Sequence, residues 1–199
     1  MMLMEQSQVP VAALPLDTFK DHLRLGTGFA DDAVQDGVIE TYLRAAMAAI
    51  EGRTAKALLQ RDYAYSLGAW RDLGAQVLPV APVSAITAFV IVDSAGGETL
   101  IDPARYMLEQ DMHRPRLCAS GFVLPSIPVG GKARIAFAAG FGATWDDVPA
   151  DLAQAVFLLA AHYYEYRHET ATDRDVMPFG VAALTDRYRD MRLFGGRGR

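Results

Sequence analysis

The chain has 199 residues, of which 51% are hydrophobic and 22% are charged, so it can form one domain of ordinary size with a buried core. Its 19 Lys and Arg against 24 Asp and Glu give a formal net charge of −5. This balance excludes a protein that binds nucleic acid mainly through a basic surface. The single cysteine, Cys118, excludes an intramolecular disulfide framework and a Cys-rich zinc site.

The chain shows neither a secretory signal nor a membrane span. Residues 1–16 include apolar side chains but no Lys or Arg, whereas a secretory signal begins with a basic segment. The most apolar stretch, 152–164, is shorter than the roughly 20 residues that cross a bilayer. We therefore expect a soluble protein that is made on the cytoplasmic side and has no membrane contact.

The first part of the chain has helical periodicity. Asp17 opens a short helical pattern, and Gly26 and Gly28 end it, as glycine does after a last helical turn. From Val34 onward, apolar residues recur at intervals of three and four with polar residues between them. This spacing predicts a second, amphipathic helix that runs to about Ala57.

The middle of the chain has the composition of short β-strands. Residues 83–92 are rich in Val, Ile, Phe and Thr and predict a strand, and the turn at 94–97 predicts a hairpin with 98–101. Further strands are predicted by similar patterns at 63–67, 106–108, 116–117 and 133–137. Proline and glycine separate these segments, which favours short antiparallel strands over a large parallel sheet.

Helical periodicity returns after Pro149. Residues 152–164 are apolar on nearly every face, so this helix must be covered on most sides. One modest domain has little material for such a cover, which favours contact with a neighbouring subunit; a central core helix is the alternative. The residues assigned to the subunit interface are Ala153, Val156, Phe157, Ala160 and Tyr164. A last helix is predicted at about 181–193, before a tail rich in Gly and Arg.

These patterns predict an α+β fold. A helical bundle is built from the N- and C-terminal segments 17–57 and 149–193, and a β-rich antiparallel insertion occupies about 59–138. Residues 194–199 are predicted to form a flexible tail. We expect all 199 residues to form a single domain.

No candidate for catalysis is complete in the sequence. Glu165 and His168 have the Glu-x-x-His spacing of di-iron sites, but such sites need a second copy of the motif, which the sequence lacks. His162 and Glu169 do not complete a zinc motif either. Asp146 and Asp147 are better explained as caps of the following helix than as a catalytic pair. We therefore predict that the protein is not an enzyme and uses no metal or other cofactor.

Several motifs occur together in one order along the chain. They are Leu23-Arg24-Leu25 followed by Asp31-Asp32, the helical segment 42–51, Leu78-Pro79-Val80-Ala81-Pro82-Val83, Ala139-Gly140-Phe141-Gly142, Asp147-Val148-Pro149-Ala150-Asp151-Leu152, Tyr164-Glu165-Tyr166-Arg167-His168-Glu169, and Met177-Pro178-Phe179-Gly180-Val181. Through these residues the chain, from Leu16 onward, resembles the head–tail connector (adaptor) proteins of long-tailed bacteriophages and of bacterial gene transfer agents.

The resemblance implies a structural role in a virion or a phage-like particle. Such adaptors form a ring, commonly of twelve subunits, beneath the portal protein at the capsid vertex, and they extend the DNA channel. They also present a platform to a stopper or other next neck protein. The resemblance therefore implies assembly in the bacterial cytoplasm, a homo-oligomeric ring, and DNA that passes through without sequence-specific binding. The net negative charge agrees with a channel that does not hold phosphates.

The C-terminal arm is locally basic in an acidic chain. From residue 186 onward it has five arginines against two aspartates, together with large apolar side chains. Arginine and aromatic residues supply many interface hot spots, and the resemblance makes the portal the expected partner. The residues assigned to portal binding are Met177, Phe179, Arg187, Arg189, Arg192, Leu193 and Phe194. A solvated helix end and a DNA-contacting tail are the alternatives.

Other functions stay open at this point. A stopper or tail-terminator protein would also form a ring, although such proteins are usually β-rich throughout. A cytoplasmic helical enzyme that binds a metal through His162 and Glu165 belongs to a different class. A DNA-binding regulator is disfavoured by the charge and by the lack of a helix–turn–helix pair with a basic second helix.

Overall fold

In the computed structural model, residues 1–23, 33–166 and 177–189 are described. They contain the helices α1 (Leu16–His22), α2 (Ala33–Thr54), α3 (Ala150–Glu165) and α4 (Phe179–Thr185). They also contain the strands β1 (Met2–Glu5), β2 (Arg61–Leu67), β3 (Ala75–Val77), β4 (Val83–Val92), β5 (Glu98–Leu100), β6 (Tyr106–Glu109), β7 (Arg116–Ala119) and β8 (Lys132–Ala139). Across these ranges, no helix has the length and apolar character needed to cross a membrane.

The helices form one core from the two ends of the chain. Helix α2 packs along α3, and α1 and α4 close the sides of this pair. Ile39, Leu43 and Ile50 are fully buried on one face of α2 and meet Leu152 and Val156 of α3. Each such side chain stabilises the fold by about 1.5–3 kcal/mol through the apolar surface that it buries. The predicted bundle of N- and C-terminal helices is confirmed.

Helix α2 ends at Thr54, three residues before the predicted end at Ala57. The Thr54 hydroxyl donates to the carbonyl of Ile50 at 2.7 Å, and Ala55 has a left-handed backbone with φ of 55°. Lys56 then pairs with Ala81 in a parallel bridge. The chain leaves the helix at Ala55 because the carbonyl of Ala55 accepts from the amide of Ala81 in the β-rich region.

The strands form two antiparallel sheets. The larger sheet has the order β1-β2-β8-β4-β5, and the smaller sheet has the order β3-β7-β6. A shared apolar core contains Phe89, Phe137 and Leu117, all fully buried. Trp70 and Tyr106 pack edge-on against the Phe89 ring, with centroid distances of 5.8 and 5.5 Å. The predicted α+β fold class with an antiparallel middle region is therefore confirmed.

Two strands were not predicted from the sequence. β1 pairs with β2, from Met2 opposite Ser66 to Glu5 opposite Tyr63, so the N-terminal segment joins the larger sheet. β3 has three residues and pairs with β7. A half-buried strand is predicted from alternating apolar and polar residues. All of β1 is exposed, so it lacks this alternation, and β3 has too few residues to show it.

The last predicted helix, 181–193, is shorter in the structure. α4 ends at Thr185, a 3₁₀ turn follows at Asp186–Tyr188, and Arg189 is extended. The Thr185 hydroxyl contacts the carbonyls of Val181 and Ala182, and such back-bonding by threonine accompanies the change of helix geometry. Residues 190–193 lie outside the described part of the chain.

Residues 139–142 join the larger sheet to the helical core. The amide of Gly140 donates to Pro82, and the amide of Gln60 donates to Gly142. Gly140 has φ of 141°, and a Cβ there would lie 2.4 Å from the Gln60 backbone. A Cβ at Gly142 would lie 2.2 Å from the Asp147 carboxylate. Only glycine fits at these two positions, which explains the Ala-Gly-Phe-Gly motif by packing.

Candidate functional site

The described C-terminal segment is tied to α3 at its exit from the core. The ring of Tyr188 is buried, and its hydroxyl donates to Asp151 over 2.8 Å. Arg187 pairs with the same carboxylate at 2.8 Å, and its guanidinium lies 4.6 Å from the centre of the Tyr188 ring. Burial raises the pKa of Tyr188, so the phenol stays protonated and keeps donating at neutral pH.

Asp186 ties the same segment to α2. Its carboxylate contacts Arg53 at 3.2 Å and Arg189 at 3.5 Å. The segment 186–189 is thus held by side chains from both central helices, and the chain direction at Arg189 is fixed by the core.

The residues predicted to bind the portal fall into three groups. Phe179 is 88% exposed at the start of α4, and Met177 beside it is half-buried against the core. Arg187 and Arg189 are exposed but engaged with Asp151 and Asp186. The tail 194–199 and the predicted portal-binding residues Arg192, Leu193 and Phe194 lie outside the described residues.

The residues predicted to form the subunit interface fall into a buried group and a half-buried group. Val156, Phe157 and Ala160 are buried inside the chain's own core, where Trp145 stacks on Phe157 with a centroid distance of 5.7 Å. Helix α3 is thus covered on these faces by its own chain, which corrects the premise that one subunit lacks the material to cover it. Ala153 and Tyr164 are half-buried at the edges of the helix, where Tyr164 packs edge-on against Tyr42. Of the five predicted interface residues, these two are the ones that the chain itself covers only in part.

The candidate catalytic groups are not gathered into a reactive centre where the structure describes them. The His162 ring packs against Tyr166 with a centroid distance of 4.6 Å, and Glu165 is exposed. His168 and Glu169 lie outside the described ranges. Across residues 1–23, 33–166 and 177–189, no three His, Cys, Asp or Glu side chains are placed to hold a metal ion.

Exposed apolar side chains mark surfaces that the sequence analysis missed. Three of them, Leu73, Phe122 and Val123, lie together because the amide of Leu124 bonds to the carbonyl of Leu73; Phe122 is 100% exposed. The exposed side of β1 adds Met2 and Met4. These side chains come from loops and from an edge strand, where no periodic pattern separates an exposed apolar residue from a buried one.

The fold and these surfaces define a class of protein. A helical core that fixes the exit of a basic C-terminal segment, and a β-rich region with exposed apolar side chains, suit a structural protein that docks to other proteins. This class does not depend on any catalytic group.

The comparison with solved structures gives the same class. The chain is 56% identical to a chain in the neck of an empty gene transfer agent (GTA) particle computed with C6 symmetry, with a TM-score of 0.90. It is 56% identical to a chain in the virion of a native GTA particle (TM-score 0.88) and 52% identical to one in the neck of a native GTA particle computed with C12 symmetry (TM-score 0.85). Each match covers 100% of both chains.

At this identity and coverage, the chain belongs to the same family as these chains of the gene transfer agent neck and virion. No protein-family model matches the chain, and no curated protein matches it.

Proposed function

We propose that the protein is the adaptor of a phage-like particle. It forms a ring, of twelve subunits, that binds beneath the portal, extends the DNA channel and connects the DNA-filled head to the next neck protein. The full-length relatives in GTA necks support this role, and the C6 and C12 symmetry of those necks supports a ring. The location that follows is the neck of the particle, after assembly in the bacterial cytoplasm.

The single observation that carries the portal contact is the fixed exit of the C-terminal arm. Arg187, Tyr188 and Asp186 are held by side chains of α2 and α3, so residues 190–199 leave every subunit of a ring from an equivalent point. Phe179 is exposed on the same C-terminal helical segment. An aromatic side chain and a basic arm are suited to an acidic groove on the portal's outer surface.

The charge of the protein suits passage of DNA. The net charge of −5 makes the surface a poor partner for phosphates, since affinity for DNA rests largely on the release of counterions by Lys and Arg. DNA would pass such a ring without being held.

The portal contact is tested by truncation after Arg189. This end point keeps Tyr188, which is buried in the core, and Asp186, which pairs with Arg53, and it removes only residues 190–199. We expect the truncated protein to have the melting temperature of the full chain and to lose attachment to portal-bearing, DNA-filled heads in a sedimentation assay. Phe179→Ser should weaken attachment in the same way.

The matched control is Phe122→Ser, which removes another fully exposed phenylalanine from the β-rich region. It should leave attachment to heads unchanged. The portal contact is wrong if heads bind the truncated protein as well as the full chain.

A further inference from the structure

A large cleft lies between the end of α2 and the smaller sheet. Its volume is about 900 Å³, and its walls come from the end of α2, from β3 and from the connection between β6 and β7. The lining includes apolar residues such as Val77 and Leu78 as well as charged ones. A space of this size accepts a short segment of polypeptide.

The cleft is lined by five arginines against three carboxylates. The arginines are Arg53, Arg71, Arg114, Arg116 and Arg189, and the carboxylates are Asp72, Glu109 and Asp111. Arg53, Arg116 and Arg189 each have an ion-pair partner, whereas no ion pair within the described ranges involves Arg71 or Arg114.

The three carboxylates leave two of the five positive charges unbalanced, and within the described ranges Asp72 and Asp111 bond to backbone amides and form no ion pair with an arginine. Asp111 accepts from the amides of His113 and Arg114 at 2.7 and 2.6 Å, and Asp72 accepts from the amide of Gly74 at 2.8 Å. The charges of Arg71 and Arg114 are therefore available to a negatively charged ligand.

One wall of the cleft is a free strand edge. β3 is the outer strand of its sheet and pairs only with β7 among the described strands. The bonds from Leu78 to Pro115 and from Ala119 to Gly74 place the backbone of residues 74, 76 and 78 toward β7. The backbone groups of Ala75 and Val77 therefore point away from β7, since neighbouring residues alternate in an antiparallel ladder. The carbonyl of Val77 accepts from the Gln76 side chain at 2.9 Å, so the groups offered to an added strand are those of Ala75 and the amide of Val77. An extended peptide can add to such an edge.

We propose that this cleft binds an extended acidic segment of a partner protein. The peptide backbone would continue the smaller sheet at β3, while its carboxylates would meet Arg71 and Arg114. The proposal goes beyond the portal contact, because its ligand would meet Arg71, Arg114 and β3 and does not need residues 190–199; the two surfaces border each other at Arg53 and Arg189.

Charge selects this occupant over two others. Residues 190–199 carry three arginines and one aspartate, so the chain's own tail has the same sign as the cleft. Double-stranded DNA offers its phosphates on a convex surface, which does not enter a concave site with apolar walls. An acidic strand matches both the arginines and the free strand edge.

The test is fluorescence anisotropy with a labelled eight-residue peptide of alternating Glu and Val, added to the full chain at low ionic strength. We expect saturable binding that added salt weakens. The double variant Arg71→Gln/Arg114→Gln should weaken binding about tenfold or more, because it removes the two arginines without ion-pair partners. The control Arg105→Gln/Lys132→Gln removes two exposed cations that do not line the cleft and should bind like the unchanged protein.

Hydrogen exchange locates the bound peptide. The amides of Ala75 and Val77 should exchange more slowly when the peptide is present, whatever the stability of the variants. The proposal is overturned if these amides are unaffected, if a Lys–Val peptide binds as well, or if the two double variants bind alike. It is also overturned if a short single-stranded DNA, or a second copy of the chain, occupies the cleft in preference to the acidic peptide.

Discussion

At the scale of single residues, Asp147 shows how a local cap prepares the core helix. Its carboxylate accepts from the amide of Thr144 at 3.0 Å and from the Thr144 hydroxyl at 2.9 Å, which closes the 3₁₀ turn at Trp145–Asp147. The sequence correctly predicted a capping role for this aspartate. The capped turn is the one before α3, however, because Pro149 takes the cap position of α3 itself.

This cap gives stability a defined dependence on pH. The Thr144 amide and hydroxyl hold the pKa of Asp147 below its ordinary value of 3.8. A lowered pKa contributes stability that is present above the ordinary value and is lost as the pH falls through the lower value. We expect Asp147→Asn to melt below the unchanged protein at pH 7, and the difference to close as the pH falls below 3.8. A gap that is the same at pH 7 and pH 2.5 would contradict the ionised cap.

Within the C-terminal segment, Tyr188 is buried in the core whereas Phe179 is exposed. Tyr188→Phe removes a buried hydroxyl that bonds to Asp151 and should lower the free energy of unfolding by about 1–2 kcal/mol. Phe179→Ala changes an exposed ring in the same segment and should change it by less than about 0.5 kcal/mol. Urea denaturation measures both values. Equal losses for the two variants would show that Tyr188 does not anchor the arm.

At the scale of elements, α3 is a core helix with two edges left for neighbours. Its apolar sequence made a subunit interface and a central core equally good interpretations, because burial inside one chain and burial between two chains produce the same pattern. The structure resolves this for the central residues, since α1, α2 and α4 cover Val156, Phe157 and Ala160. For the edge residues Ala153 and Tyr164, contact with a neighbouring subunit stays a prediction.

A pair of charge substitutions on α3 tests this division. Ala160→Glu places a carboxylate in a fully buried position and should prevent folding, which circular dichroism and a thermal melt detect. Ala153→Glu, about two turns earlier at the helix edge, should leave a folded protein that forms fewer rings in negative-stain microscopy. If both variants fold and both still assemble, neither the core position of Ala160 nor the interface at Ala153 holds.

The elements predicted correctly are those whose sequence carries a long repeating pattern. β4 occupies 83–92 as predicted, and the hairpin to β5 turns where Gly96 has φ of 88°. β1 and the end of α4 could not be predicted in this way. β1 is ordered by β2 and by Arg61, which reaches Glu5 at 3.1 Å. The end of α4 depends on contacts of Thr185 and Tyr188 that a linear pattern does not contain.

The candidate surfaces were predictable to a smaller extent. The basic, aromatic C-terminal segment is visible in the sequence because its residues are consecutive. The arginines of the cleft come from α2, from the loop before β3, and from the connection into β7. Residues such as Arg53, Arg71 and Arg114 only become one site when the two sheets and the end of α2 are placed in space.

At the scale of the whole molecule, the two ends and the middle of the chain have different tasks in the proposed ring. The helical core holds residues 186–189, from which the arm is proposed to reach the portal, and the β-rich region carries the exposed loops and much of the Arg-lined cleft. The acidic balance of the chain is consistent with DNA passing the ring. Family membership rests on full-length identity of 52–56% with chains of GTA particles. The proposed adaptor role rests on the anchored segment 186–189.

The most direct measurement is a cryo-electron microscopy reconstruction of the neck in particles that contain this chain. We predict a twelve-fold ring of the protein directly beneath the portal, with residues after Arg189 against the portal's outer surface. Helix α3 should be enclosed by its own subunit in every copy. A ring that lies on the tail side of another neck protein, without contact to the portal, would contradict the adaptor role.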